Sequence, residues 1–211
     1  MLLCTAVLAI VLIPVGAGAQ SAAAGGDTAR DRLLRNAAED RSKGAETATV
    51  LVYEIADFQC PHCARFANDV FPQIDSAYIR TGRVQWVFVN LPMPSHANAW
   101  IAAEAALCAG AVGNRFWAMH DRLFANVAEW SLAERPAALI ERYARDAGTP
   151  MDAFRACVAD DLVAPLILQD VIFGSRVSGT PTFVVDNERT VVGVKSFEEW
   201  RAILDEALRR R

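Results

Sequence analysis

Apolar and polar positions change period along this chain in a way that lays out its elements. Thr49–Phe58 (TVLVYEIADF) is a β-rich apolar run, the pattern of a buried strand. After Gln59-Cys60-Pro61-His62-Cys63 the spacing lengthens. Phe66, Val70, Ile74 and Tyr78 fall four apart, which puts one apolar stripe along a helix. Pro72 lies inside that helix and is expected to kink it, and Thr81-Gly82 is expected to end it. Arg83–Asn90 (RVQWVFVN) is a second strand, so the stretch reads as a strand–helix–strand crossover with parallel pairing.

From about residue 92 to 172 alanine-rich helical periodicity dominates, punctuated at Gly110, Gly113-Asn114 and Gly148-Thr149-Pro150. This predicts an all-helical insertion. After Gly179-Thr180-Pro181 the β pattern returns: Thr182–Val185, a polar turn at 186–189, then Thr190–Val194 as a hairpin. Ser196-Phe197-Glu198-Glu199 is a capping box, opening a last helix that buries Phe197, Trp200, Ile203, Leu204 and Leu208. Residues 20–26 have a linker composition. Residues 27–43 are charged with one weak stripe, Leu33, Leu34 and Ala37, read as a surface helix or tether.

Composition narrows the class. With 53% of 211 residues apolar, the chain buries a sizeable core as one domain with an insertion or two small ones. A net charge of −4 argues against nucleic acid as a partner. Leu2–Val15 is almost wholly apolar and runs into Ala17-x-Ala19, the form of a signal peptide over residues 1–19, although no Lys or Arg precedes it. The run is short for a bilayer span of about 20 residues. A cleaved leader and a retained anchor both place the rest of the chain outside the cytoplasm, in the periplasm or cell envelope.

Removing the leader removes Cys4 and leaves Cys60, Cys63, Cys108 and Cys157, an even set in a disulfide-permissive compartment. Of three possible pairings, 60–63 with 108–157 fits the closeness of the first two. Cys60 falls where the strand meets the helix. There, unpaired backbone N–H groups and the positive end of the helix dipole stabilise a thiolate. Cys60 is therefore expected to be an exposed nucleophile of low pKa, in a class spanning about 3.5 to 7.5, with Cys63 as its resolving partner one turn in. Pro61 suits the first helical position, and His62 adds a donor beside the sulfur. Stabilising the thiolate stabilises the reduced form and makes the disulfide more oxidising, which favours a disulfide donor over a reductant.

Phe58-Gln59-Cys60-Pro61-His62-Cys63, with Gly179-Thr180-Pro181-Thr182-Phe183 far downstream, resembles the DsbA family of thioredoxin-fold oxidoreductases over residues 45–210. The resemblance implies an α/β thioredoxin fold in two parts, 45–91 and 173–211, interrupted by a helical insertion at 92–172 and preceded by a linker and N-terminal helix at 20–44. It implies that Pro181 is a cis-proline beside the active disulfide, where neighbouring backbone pairs with substrate. It further implies that Thr180 tunes redox poise and that Glu54 is a buried acid managing the Cys63 proton. Asp57 is read instead as a solvated loop end.

Cys108 follows Ile101 and Ala105 on a core-facing stripe, and Cys157 follows Phe154, so the second pair is expected to be a structural disulfide. His96 and His120 read as core or surface histidines, and Trp86, Trp100, Trp117, Trp130 and Trp200 as core. The expected activity is donation of disulfides to unfolded or reduced exported proteins by a monomer, with no cofactor beyond the Cys60–Cys63 disulfide and no metal. The family implies a membrane-bound, DsbB-like reoxidising partner. The rival readings are an isomerase or reductase on the same fold, a metal-binding thioredoxin-fold module, and a chaperone.

Overall fold

The computed structural model describes residues 28–211. The apolar run with its cleavage signal and the linker at 20–26 lie outside the described residues. The first element, α1 (Ala29–Asp40), starts from a capping box in which Thr28 and Asp31 satisfy each other's backbone N–H groups. Leu33, Leu34 and Ala37 pack on the helical core, so α1 is a docked helix and no loose tether.

A five-stranded sheet follows, ordered β1-β3-β2-β4-β5. It comprises β1 (Ser42–Lys43), β2 (Val50–Ala56), β3 (Val84–Asn90), β4 (Thr182–Val185) and β5 (Arg189–Val192). β2 and β3 pair in parallel and the other neighbours are antiparallel. β1 has no apolar alternation to announce it. It is a two-residue polar edge opposite Trp86 and Val87.

Between β2 and β3 runs a single helical stretch, made of α2 (Pro61–Arg65), a π turn (Phe66–Val70), α3 (Phe71–Ile74) and a second π turn (Asp75–Ile79). The chain meets the expected disturbance at Pro72 with a π turn just before it. Phe71 N–H reaches back to the Phe66 carbonyl, five residues away. A widened turn gives the pyrrolidine ring room where an i−4 carbonyl would otherwise crowd it. Gly82 closes the stretch at φ +75°.

One sheet face, with Val50, Val52, Trp86, Phe183 and Val185, packs against Phe66, Phe71 and Ile74 and against Trp200, Ile203 and Leu204 of α10 (Phe197–Arg209). Full burial of each such side chain stabilises by roughly 1.5–3 kcal/mol. The other face carries Ile55, Val89 and Leu91 beneath α9 (Ala164–Gly174). Gly174 permits that approach, since a Cβ there would stand 3.1 Å from both Ile55 and Leu91.

Between β3 and β4 lie α4 (Ala99–Gly113), α5 (Phe116–Ala125), α6 (Val127–Trp130), α7 (Ala137–Asp146), α8 (Met151–Ala159) and α9. α4 is buried almost all round, as a central helix must be, and its alanines let α1, α5, α7 and α8 close on it. Trp100 departs from the core reading at 37% exposure, whereas Trp86, Trp130 and Trp200 are fully buried and Trp117 partly so. It sits one residue past buried Ala99 on the first turn of α4, a step that turns a side chain away from the inward stripe.

Cys108 of α4 and Cys157 of α8 are joined by a disulfide across 49 positions of sequence. A second tie holds the layers together. Asp170 of α9 receives both Arg41 and the backbone and side-chain N–H groups of Asn90, at 2.5 to 3.0 Å. Replacing Cys108 and Cys157 together with alanine is expected to lower stability by about 4 kcal/mol for a loop of this size. Urea denaturation under non-reducing conditions measures the loss, and an unchanged midpoint would show that the tie does not restrain the unfolded chain.

Candidate active site

The site forms where β2 hands over to α2. Asp57 builds the turn between them: its carboxylate accepts the Gln59 N–H at 2.7 Å and its carbonyl the Cys60 N–H at 3.0 Å. Cys60 is the N-cap residue in extended backbone, Pro61 follows as the first helical residue, and Ala64 N–H closes onto the Cys60 carbonyl at 3.0 Å. Cys60 and Cys63 are not bonded to each other and stand as free cysteines.

The two sulfurs have opposite environments. A hydrogen bond from the Cys63 thiol, then Thr180 and the N–H groups of Cys63 and His62, pull Cys60 down to about 5 against the opposing effect of burial. Cys63 is pushed well up, by burial first, then by its hydrogen bond to Cys60 and by that neighbour's charge. What reaches Cys60 from His62 is its backbone N–H, while the residue itself is exposed. Cys60 is only 5% exposed, a correction to the expected exposed nucleophile. The downstream loop is the cover: Cys60 Sγ lies 3.5 Å from the Thr180 carbonyl, and the Thr180–Pro181 peptide is cis. Thr182 Oγ1 to the Gly179 carbonyl (2.7 Å) and Gly193 N–H to the Pro181 carbonyl (2.8 Å) hold that loop in place.

Glu54 is fully buried on β2. It accepts Trp86 Nε1–H at 2.8 Å on one oxygen and has no partner for the other. Burial pushes it up to about 8. Phe66, one turn beyond Cys63, stacks on Trp86, the donor to this acid. Asp57 corrects the solvated-loop reading. It is 1% exposed and also accepts from Met93 N–H (2.7 Å) and His96 Nδ1 (2.8 Å), while its own N–H faces the Cys63 sulfur. His96 is therefore a partner of the site. His120 is a core residue, edge-on to Phe88 and Phe124 and bonded to Asp121 at 2.8 Å.

Sequence reasoning missed Gln59 and Asn98. Gln59 Nε2 donates to the Ser131 carbonyl at 2.8 Å, and its Oε1 accepts the Asn98 N–H at 2.8 Å. The partners are 39 and 72 positions away, so no local pattern signals them. Among the described residues, no group of three His, Cys, Asp or Glu side chains is placed to hold a metal ion.

A parallel–antiparallel sheet, a helical insertion and two unequal cysteines at a helix start define a thioredoxin-fold protein of DsbA-like architecture. A family model described as Thioredoxin matches residues 36–206, and the chain belongs to that family. Wolbachia pipientis α-DsbA1 shares the fold, with a TM-score of 0.71, 22% identity, and coverage of 81% of this chain and 91% of that one. The chain is 40% identical over 153 residues to the Na(+)/H(+) antiporter NhaA 3 of Salinispora tropica, which is 71% of this chain and 22% of the antiporter. It is 24% identical over 154 residues to a putative protein-disulfide oxidoreductase of Rickettsia bellii, 72% of this chain and 58% of that protein. The chain thus spans about a fifth of the antiporter and under two thirds of the Rickettsia protein.

Two pH dependences follow from these environments. Ionised Cys60 favours the folded reduced chain, a contribution complete above the ordinary thiol value of about 8.5 and lost as pH falls through about 5. Alkylation of the reduced protein should accordingly reach half its plateau rate near pH 5, and a midpoint near 8.5 would refute the stabilised thiolate. Folded Glu54 keeps its proton up to about 8, whereas an unfolded glutamate loses it near about 4.3, so it costs stability progressively as pH rises between them. Glu54→Gln should gain on the parent from pH 5 to pH 8 in urea denaturation. Parallel curves would count against it.

Proposed function

We propose that this protein is an extracytoplasmic thiol:disulfide oxidoreductase that donates the Cys60–Cys63 disulfide to reduced, unfolded proteins. The single observation that carries this reading is the inequality of the two sulfurs. Cys60 is stabilised as a thiolate and Cys63 as a thiol, so the reduced state is favoured and the disulfide is a strong oxidant. The name of the Rickettsia relative supports the same chemistry. Ion transport is not carried over from the antiporter, of which the match covers 22%.

In the first step a client thiolate attacks Cys60 Sγ. The Cys60–Cys63 bond breaks, its electron pair leaves with Cys63, and Cys63 takes a proton, as its raised pKa requires. Glu54 is the buried acid fit to hand the proton over. In the second step another client thiol, as thiolate, attacks the client sulfur of the mixed disulfide and Cys60 leaves as thiolate. The client loses two electrons and two protons. The pair gains the electrons and one proton, and the other proton goes to solvent. Thr180 and Pro181, against Cys60, are the backbone on which a client strand would align. A membrane-bound reoxidising partner of DsbB-like chemistry restores the disulfide. The Cys108–Cys157 bond supports an oxidising compartment, where such ties persist.

Equilibration against glutathione is expected to place the Cys60–Cys63 potential well above the thioredoxin value of about −270 mV. A value near or below it would favour a reductase on the same fold. Cys60→Ser should abolish oxidative refolding of a reduced test protein.

A further inference from the structure

Asp57 meets both active-site cysteines through its backbone. Its carbonyl accepts the Cys60 N–H at 3.0 Å, and its own N–H faces the Cys63 sulfur. The way this one residue is turned therefore bears on both sulfurs, and its side chain fixes that turn. One carboxylate oxygen accepts the Gln59 N–H at 2.7 Å. The other accepts the Met93 N–H at 2.7 Å and lies 2.8 Å from His96 Nδ1.

Burial favours the neutral form of this carboxyl, while Met93, His96 and Gln59 favour its charge. Two of those donors are backbone N–H groups. The third is a side chain, on the segment between β3 and α4 and 39 positions from Asp57. His96 is itself well anchored: its N–H donates to the Met93 carbonyl at 2.9 Å, and its carbonyl accepts the Ala99 N–H at 3.1 Å. These bonds shape a turn that presents the Met93 N–H and the His96 ring to the same oxygen.

Without the His96 donor, Asp57 takes up a proton more readily, and a protonated carboxyl carries a hydrogen where it had accepted one. An N–H of Gln59 or Met93 then loses its acceptor, and the turn before Cys60 loosens. Exchange chemistry is sensitive to such loosening. The N–H groups of Cys63 and His62 help to hold the Cys60 thiolate, and a hydrogen bond weakens steeply once its donor is off line.

We propose that Asp57 and His96 are a positioning pair for disulfide exchange: His96 holds the Asp57 carboxylate, and Asp57 keeps the cysteine loop turned so that its N–H donors stay aimed at Cys60. The assignment rests on the disulfide-donor reading and names what keeps that site poised as an oxidant.

The test equilibrates the purified full chain with glutathione, as the parent and as two variants. His96→Ala removes the donor, whereas His96→Asn keeps an N–H group where Nδ1 stands. His96→Ala is expected to shift the Cys60–Cys63 equilibrium about tenfold toward the disulfide, a potential about 30 mV lower, and His96→Asn to stay within about twofold of the parent. The pH at which Cys60 alkylation reaches half its plateau rate should rise in the first variant and hold in the second. Circular dichroism establishes that each variant is folded. Should His96→Ala fail to fold, His96→Gln takes its place, since its donor stands one bond farther from the backbone. A donor-free variant within about twofold of the parent, or an Asn variant shifted as far as the donor-free one, overturns the inference and leaves the donor reading standing. A parent potential near the thioredoxin value of about −270 mV defeats the donor reading, and the ratio of variant to parent still decides the positioning role.

Discussion

A thiolate at the edge of a protein interior is stable only where fixed donors surround it, and the Cys60 sulfur sets that demand on its neighbourhood. The donors are the first N–H groups of α2, the Cys63 thiol and Thr180. Backbone N–H groups are free to serve only at a helix start, so the helix must begin at residue 61 and nowhere else. Pro61 settles that beginning from one side and the Asp57 turn from the other. Phe66, wedged among Trp86, Phe183 and Trp200, then pins the helix to the sheet so that the donors do not drift. Burial opposes the charge, and the donors together outweigh it.

Two other buried acids near this sulfur show that burial does not by itself decide what a carboxyl does. Asp57 and Glu54 are both raised by desolvation. Asp57 is offset by three donors from two segments, which makes it the knot joining the cysteine loop to the segment at Met93 and His96. Glu54 has one donor and a bare second oxygen, so its proton remains close to the range where a cysteine also titrates. The first arrangement builds the loop. The second leaves one carboxyl oxygen without a donor.

Much of this was legible in the chain before any coordinates. Strand β4 falls where alternation put it, α10 opens on the predicted capping box, and the helical insertion follows from alanine spacing alone. These are local signals with a fixed period. What escaped depends on contacts between distant positions. Asp57 looks like any acid at a strand end, and its burial comes from Met93 and His96 arriving after β3. Gln59 carries no pattern at all, because its partners come from the start of α4 and the loop after α6. The shielding of Cys60 likewise requires a loop 120 positions downstream. The π turns around Pro72 were hidden for another reason: a proline announces a disturbance but not the form the backbone gives it.

The chain's two pairs of cysteines illustrate what separates exchange from permanence. Cys60 and Cys63 sit three apart at a helix start with unequal surroundings, so one sulfur holds a charge and the other a proton. Cys108 and Cys157 are both buried mid-helix, away from any helix start, and neither is offered as a thiolate to an attacking thiol. Their bond nevertheless lies on the helix whose start is held by the loop of the other pair. It ties α8 to α4, and Asn98, at the start of α4, joins Gln59 to the loop after α6. One helix therefore carries the buried disulfide along its length and, at its start, the residue bonded to Gln59 beside Cys60.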